Sequence, residues 1–306
     1  MNPLLPRATA SPTPSADGDG QPSASPVSGA EAGIHALLDR LIGIGGVADI
    51  ACVRAHCAHG IHSVDMSEPL FGIVLRGVKQ MRAGTLVLDF QPGDIVVATA
   101  GTRFDFMHWP DDDGQYLTLV VPLCAEVLEA GRLMWSVPVL AEGTPRAARF
   151  RLADHAVMLQ AWAEALLRGD YPAARAALVS IVVDWCRLGL PRLLVPPVPT
   201  LARRIAAWVT AQPARAWQSR DFEGLLGMSG ATLRRRLAGE GTGLRAVLAD
   251  TRLACAMNLL YTTRLPIKTV ATRVGYQSPD AFVRAFRARY RLDPADIGNS
   301  PPAAPG

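Results

Sequence analysis

Three consecutive arginines, Arg234, Arg235 and Arg236, stand between Leu233 and Leu237 in the stretch LRRRLAGEG. A guanidinium is planar, permanently charged and holds its donors in a fixed fork, so it pairs two-pronged with a phosphate or with O6 and N7 of guanine. Leucines four residues apart share one face of a helix, and burying them turns Arg234 and Arg235 outward. Placed in a major groove, each would contribute about 1–3 kcal/mol of base discrimination. Arg236 lies nearer the inner edge, where phosphate is the expected target.

The surrounding pattern occurs twice. DFEGLLGMSGATLRRRL (221–237) and PIKTVATRVGYQSPDAFVRAF (266–286) align with Ser229 on Ser278, Leu233 on Phe282 and Leu237 on Phe286, an offset of 49; Gly227 and Gly275 are offset by 48. The second turn is therefore one residue longer. Each glycine can end a helix in the left-handed conformation, and each serine can start the next by accepting from an unpaired backbone N–H. Both units predict helix, tight turn, helix. Asp280 and Arg284 take the exposed positions of the second unit, where Asp280 either accepts from a cytosine amine or caps its own helix.

The elements that must position these residues follow. Residues 200–296 read as seven helices, the first with Leu201, Ile205, Trp208 and Val209 on one face. LRAVLADTRLACAMNLLYT (244–262) is a long helix with Leu253, Ala256 and Leu260 on one side. It would set the spacing of the two outward helices, which must lie about 34 Å apart to enter one face of a duplex. The region 199–299 carries 16 Lys+Arg against 7 Asp+Glu, whereas the remainder carries 15 against 20. Such a split predicts a basic module that meets a polyanion, attached to an acidic module with another task.

That acidic module reads as strands and then helices. LFGIVLRG, TLVLDF, DIVVATAG and YLTLVVPL are apolar runs between Gly, Pro and Asp turns, which predicts an antiparallel barrel or sandwich over about 47–123. Residues 123–135 and 153–190 have helical periodicity, and ALVSIVVDWCRLGL is apolar over more than one face. The expected architecture is α+β: a disordered tail at 1–30, a module at 31–190, a stiff Pro-rich linker at 191–199, the basic module at 200–297 and a second tail at 298–306. No run of about eighteen apolar residues and no secretory leader is read, so a cytoplasmic protein without a membrane partner is expected. The five cysteines contain no CxxC pair, which argues against a zinc site or a disulfide framework.

LPIKTVATRVGYQSPDAFVRAFRARYRLDPADI resembles the second helix-turn-helix signature of the AraC/XylS family of bacterial transcription regulators, and GMSGATLRRRLAGEGTGLRAVLADTRLACAMNLL resembles the first with its linker helix. The resemblance covers about 200–297. It implies base contacts at Ala231, Arg234, Arg235, Asp280, Ala281 and Arg284; Ser229, Arg236, Arg252, Ser278 and Arg287 are expected beside them as phosphate contacts. One departure is Glu223, where the family has a small residue; a carboxylate in that crossing predicts looser packing of the first unit. EPLFGIVLRGVKQMRAGTLVLDFQPGDIVVATAG (68–101) resembles the family's cupin-like effector domain. The implied partners are promoter DNA, a small-molecule effector, a second copy of the chain and RNA polymerase, with no cofactor and no enzymatic activity.

Two other readings bear weighing. Catalytic cupins carry an H-x-H pair followed by Glu, whereas His56, His59 and His62 stand three apart, so neighbours in this series face opposite sides of a strand and read as surface residues. His108 beside Trp109 is isolated along the chain and reads as lining the barrel or a loop rather than catalysing a reaction. A thiol-based redox sensor would use Cys52 and Cys57, which otherwise read as small buried residues on a strand and its end.

Overall fold

The strand DIVVA (Asp94–Ala98) is buried at every position, which requires that both faces of its sheet be covered. The computed structural model, which describes residues 29–44, 50–66, 68–137, 139, 143–196 and 200–297, supplies both covers. Nine strands build the N-terminal half: β1 (Ala51–Ala55), β2 (His59–Met66), β3 (Leu70–Arg76), β4 (Val78–Ala83), β5 (Leu86–Phe90), β6 (Asp94–Ala98), β7 (Thr102–Trp109), β8 (Tyr116–Pro122) and β9 (Ala147–Arg151). They pair antiparallel in two sheets, β1-β8-β3-β6-β9 and β2-β7-β4-β5. The fold is α+β.

Between the sheets, Met66, Val74, Met81, Phe90, Val96, Phe104 and Phe106 form one apolar cluster. The opposite face of the first sheet, with Phe71, Ile73, Ile95, Val97, Leu119 and Val121, packs on four helices: α1 (Gly29–Ile44), α2 (Ala125–Met134), α3 (Ala156–Leu167) and α4 (Tyr171–Arg187). The many-faced apolar character of α4 follows from this position, because Trp185 is fully buried against Phe71 and Phe150.

Six α-helices complete the described chain, one fewer than the periodicity predicts: α5 (Leu201–Ala211), α6 (Ser219–Leu226), α7 (Gly230–Gly239), α8 (Leu244–Thr262), α9 (Ile267–Arg273) and α10 (Pro279–Tyr290). Leu201, Ile205, Val209, Phe222, Leu233, Leu237 and Val247 form the core of the first unit. Leu253, Ala256, Leu260, Val270, Phe282 and Phe286 form that of the second, joined by Ile61 from β2. Helix α8 thus contributes to both cores; at about 1.5 Å per residue its 19 residues span about 28 Å.

The expected Pro-rich linker is shorter than its composition predicts. Pro191–Leu194 is a 3-10 turn whose Leu193 and Leu194 are fully buried in the helical core of the N-terminal half, and a proline is well suited to a first helical position. Residues 1–28 and 298–306, which include the two expected tails, lie outside the described residues, and residues 29 and 30 open α1. Among the described residues no helix is long and apolar enough to cross a membrane.

Candidate nucleic-acid interface

Both turns take the geometry their residues favour. Gly227 adopts a left-handed φ of 62° after α6, and Gly275 a φ of 85° after α9. Ser229 and Ser278 are the N-caps of α7 and α10, each side chain accepting a backbone N–H at 3.4 Å, from Thr232 and Ala281 respectively. Gly275 also permits a close approach, since a Cβ there would stand 2.8 Å from the Pro213 carbonyl oxygen.

On α7 the anchors Leu233 and Leu237 are fully buried. At about 100° per residue, the direction opposite them is occupied by Ala231, Arg235 and Ala238, with Arg234 on one flank, and all four are exposed. Arg236, also exposed, falls on the opposite flank from Arg234. On α10, Phe282, Phe286 and Tyr290 are buried, while Asp280, Arg284 and Arg287 share the exposed face and Ala281 is half-buried on its flank. Among the described residues, Arg234, Arg235, Arg236 and Arg284 engage no carboxylate, which leaves four guanidiniums available to an outside acceptor.

Two arginines assigned to phosphate are differently placed. Arg252 donates from Nε to the Pro213 carbonyl at 3.0 Å and from Nη2 to the Arg215 carbonyl at 2.8 Å, which ties α8 to the loop before α6. Arg287 pairs with Asp293. Glu223 does not loosen the first unit by lodging against a bulky neighbour: it receives the Ser219 hydroxyl at 3.0 Å and lies over Gly230, whose missing side chain provides the room.

A second polar group, buried in the barrel, lies away from the reading helices. His59, expected on the surface, is only 6% exposed, and His108, expected to line the barrel or a loop, is 2% exposed on β7 but has close polar partners. They are register partners on β2 and β7. His59 Nε2 lies 2.8 Å from the Tyr261 hydroxyl on α8, His108 Nδ1 lies 3.3 Å from His59 Nε2, and Lys79 Nζ on β4 lies 3.0 Å from His108 Nε2. Burial holds His59 below its usual range and His108 well below it, and lowers Lys79 to about 7. The same effect pushes the Tyr261 phenol well up. Two signals pointed to this group: Lys79 is one of only two lysines in the chain, and period-two alternation puts it on the inward face with Met81. Of the other residues weighed for metal or thiol chemistry, His56 is exposed and His62 pairs with Asp105. Cys57 is exposed rather than buried, Cys52 is half-buried on β1, and burial is the main cause pushing both thiols up.

Residues 224–299 match a family described as a helix-turn-helix domain. Over 76 residues the chain is 42% identical to an uncharacterized HTH-type transcriptional regulator of Mycobacterium tuberculosis, covering 25% of this chain and 22% of that protein. It is 28% identical over 120 residues to the HTH-type transcriptional regulator GadX of Escherichia coli, covering 39% of this chain and 43% of that protein. The chain therefore spans less than half the length of these curated relatives. Unsaturated fatty acid bound wild-type ToxT from Vibrio cholerae superposes with a TM-score of 0.56 at 13% identity, over 81% of this chain and 93% of that one, a likeness of fold. With two capped helix-turn-helix units on one linker helix and these matches, the region 224–299 is a helix-turn-helix domain similar to those of bacterial transcription regulators.

Proposed function

We propose that the protein is a sequence-specific DNA-binding transcription regulator, cytoplasmic and without enzymatic activity, controlled by a small molecule bound in the N-terminal barrel. The observation that carries this reading is the pair of exposed helix faces, with Arg234 and Arg235 on α7 and Arg284 on α10, held by the single helix α8. In it, Ala231, Arg234, Arg235, Asp280, Ala281 and Arg284 read base edges. Ser229, Arg236, Ser278 and Arg287 meet phosphates, and Arg252 does so only with donors left over from its carbonyl contacts. The relatives that share the domain are themselves named as transcription regulators.

The structural neighbour ToxT is described with an unsaturated fatty acid bound. By extension the effector here is an apolar acid whose head is met by Lys79, buried at the polar end of the barrel. Effector binding shifts how the two modules, or two copies joined through the helices after the barrel, present their reading helices to DNA and to RNA polymerase. A metal-dependent enzyme is disfavoured by chemistry, since the side chains in hydrogen-bond reach of His59 and His108 are Tyr261 and Lys79, the second a cation-forming amine. A thiol sensor is disfavoured because burial works against the reactive thiolate at Cys52 and Cys57.

The test is binding-site selection from a random oligonucleotide pool by the full-length protein, with and without oleate as the acid probe. An enriched motif whose occupancy changes with oleate supports the reading; a motif insensitive to oleate removes the acid effector, and no enrichment removes the regulator.

A further inference from the structure

We propose that His59, His108, Lys79 and Tyr261 form a proton-operated latch between the barrel and the linker helix, closed while both imidazoles are neutral and releasing α8 from β2 when His59 gains a proton.

The direction of every hydrogen in the closed chain follows from one acceptor. His59 Nδ1 lies 3.1 Å from the Cys57 carbonyl oxygen, which can only accept, so Nδ1 carries the hydrogen and Nε2 of the neutral ring is bare. That bare nitrogen has one lone pair, which receives the Tyr261 O–H at 2.8 Å and is shared by the His108 Nδ1–H at the longer distance of 3.3 Å. His108 is then bare at Nε2, where Lys79 donates at 3.0 Å. Each link fixes the next.

A proton on His59 Nε2 replaces that shared acceptor with a donor. Tyr261 can rotate its hydroxyl to accept. His108 cannot, unless its hydrogen shifts toward Lys79, and a charged Lys79 has no lone pair to receive it. The proton also adds a second positive charge to a buried cluster.

The groups facing His59 come from every element around it: Lys79 on β4, His108 on β7, Tyr116 on β8 stacked 4.5 Å from His108, Tyr261 on α8, Cys57 after β1 and Asp296 after α10. Of these, the Cys57 carbonyl and the charge of Asp296 favour the protonated ring, but burial, the largest influence, and Lys79 prevail against them. Opening returns His59 toward the ordinary value of about 6.5, so the closed arrangement binds fewer protons, is fully favoured above about 6.5 and weakens as pH falls. Lys79, lowered to about 7 from an ordinary value of about 10.4, acts with the same sign at higher pH wherever opening exposes it.

Because α8 shares in the cores of both helix-turn-helix units, release at Tyr261 loosens its seat on the barrel, while the apolar packing of Val53, Ile61 and Val64 against the second unit still holds the two halves together. The consequence for DNA rests on the regulator reading above; the latch itself is measured without DNA.

Hydrogen–deuterium exchange of the full-length protein at about pH 7.5 and about pH 5.5, corrected for intrinsic rates, reads it directly. The amides of 59–66 and 253–262 are expected to exchange about tenfold faster at the lower pH while those of β6 do not change. His59→Gln, neutral at both values, is expected to remove most of the difference. Equal corrected rates in the wild type, or an undiminished difference in His59→Gln, would overturn the latch. Should that variant not fold, the wild-type His59 ring titration by NMR decides: a midpoint below 6.5 supports the latch, and one at or above it overturns it. A pH response without any preferred oligonucleotide keeps the latch and removes the regulator; the converse removes the latch alone.

Discussion

Glu223 and Gly230 face each other across the crossing of α6 and α7 so closely that a methyl group on the glycine would stand 2.6 Å from the glutamate Oε1. The carboxylate and the missing side chain are one arrangement. Glu223 fills the crossing, Gly230 leaves the volume for it, and Ser219 supplies the hydrogen bond.

Coupling between the two positions is therefore expected. Gly230→Ala should destabilise the native chain by about 1 kcal/mol, because Glu223 must leave its Ser219 partner. In a Glu223→Ala background the same change should be neutral or stabilising, since alanine is the better helix residue. Denaturant unfolding of the four variants would give a coupling of about 1 kcal/mol. Additive effects would mean that the two side chains do not compete for the same space.

Arg252 supports two carbonyls of the loop before α6, so Arg252→Met should cost about 2 kcal/mol of stability and leave the salt dependence of DNA binding nearly unchanged. Unaltered stability together with a salt slope reduced by about 1 would assign it to phosphate instead.

Lys79 sets a pH dependence of stability. Its amine is lowered to about 7 in the folded protein against an ordinary value of about 10.4, so the folded chain binds fewer protons than the unfolded one between those values. Stability gains from this group as pH rises through about 7–10, and its full cost is present below about 7. Lys79→Met keeps the length of the side chain and removes the charge. It should raise stability by about 1–3 kcal/mol at pH 6 and by distinctly less at pH 9. Thermal unfolding at both values checks this, and an equal gain at both would show that the charge was never the cause.

What the sequence made legible was local. The glycine stops, serine caps and paired anchors of both helix-turn-helix units lie within about twenty residues, and the outward faces of α7 and α10 follow from them without long-range information. The strand Thr102–Trp109 was legible in principle, because its burial alternates strictly, yet its charged outward residues concealed it among turns. The latch was not legible. His108 stands alone in its own stretch of sequence because its neighbours arrive from β2, β4 and α8, and His59 meets Tyr261 across a separation of 202 residues. That contact depends on strand register and on how the two halves meet, neither of which periodicity encodes. The Pro191–Leu194 turn was misread because four prolines in ten residues outweighed two adjacent leucines that the core needed.

The central claim is that two arginine-bearing helices read bases from one unit, and parallel binding-site selections with the wild type, Arg284→Ala, Arg234→Ala and Arg236→Ala test it most directly. The account predicts a wild-type motif in two parts about one helical turn apart. Arg284→Ala should erase preference in one part, Arg234→Ala in the other, each at a cost of about 1–3 kcal/mol against the preferred base. Arg236→Ala should weaken all sequences alike. A motif unchanged by both base-reading substitutions, or a uniform loss from all three, would contradict it.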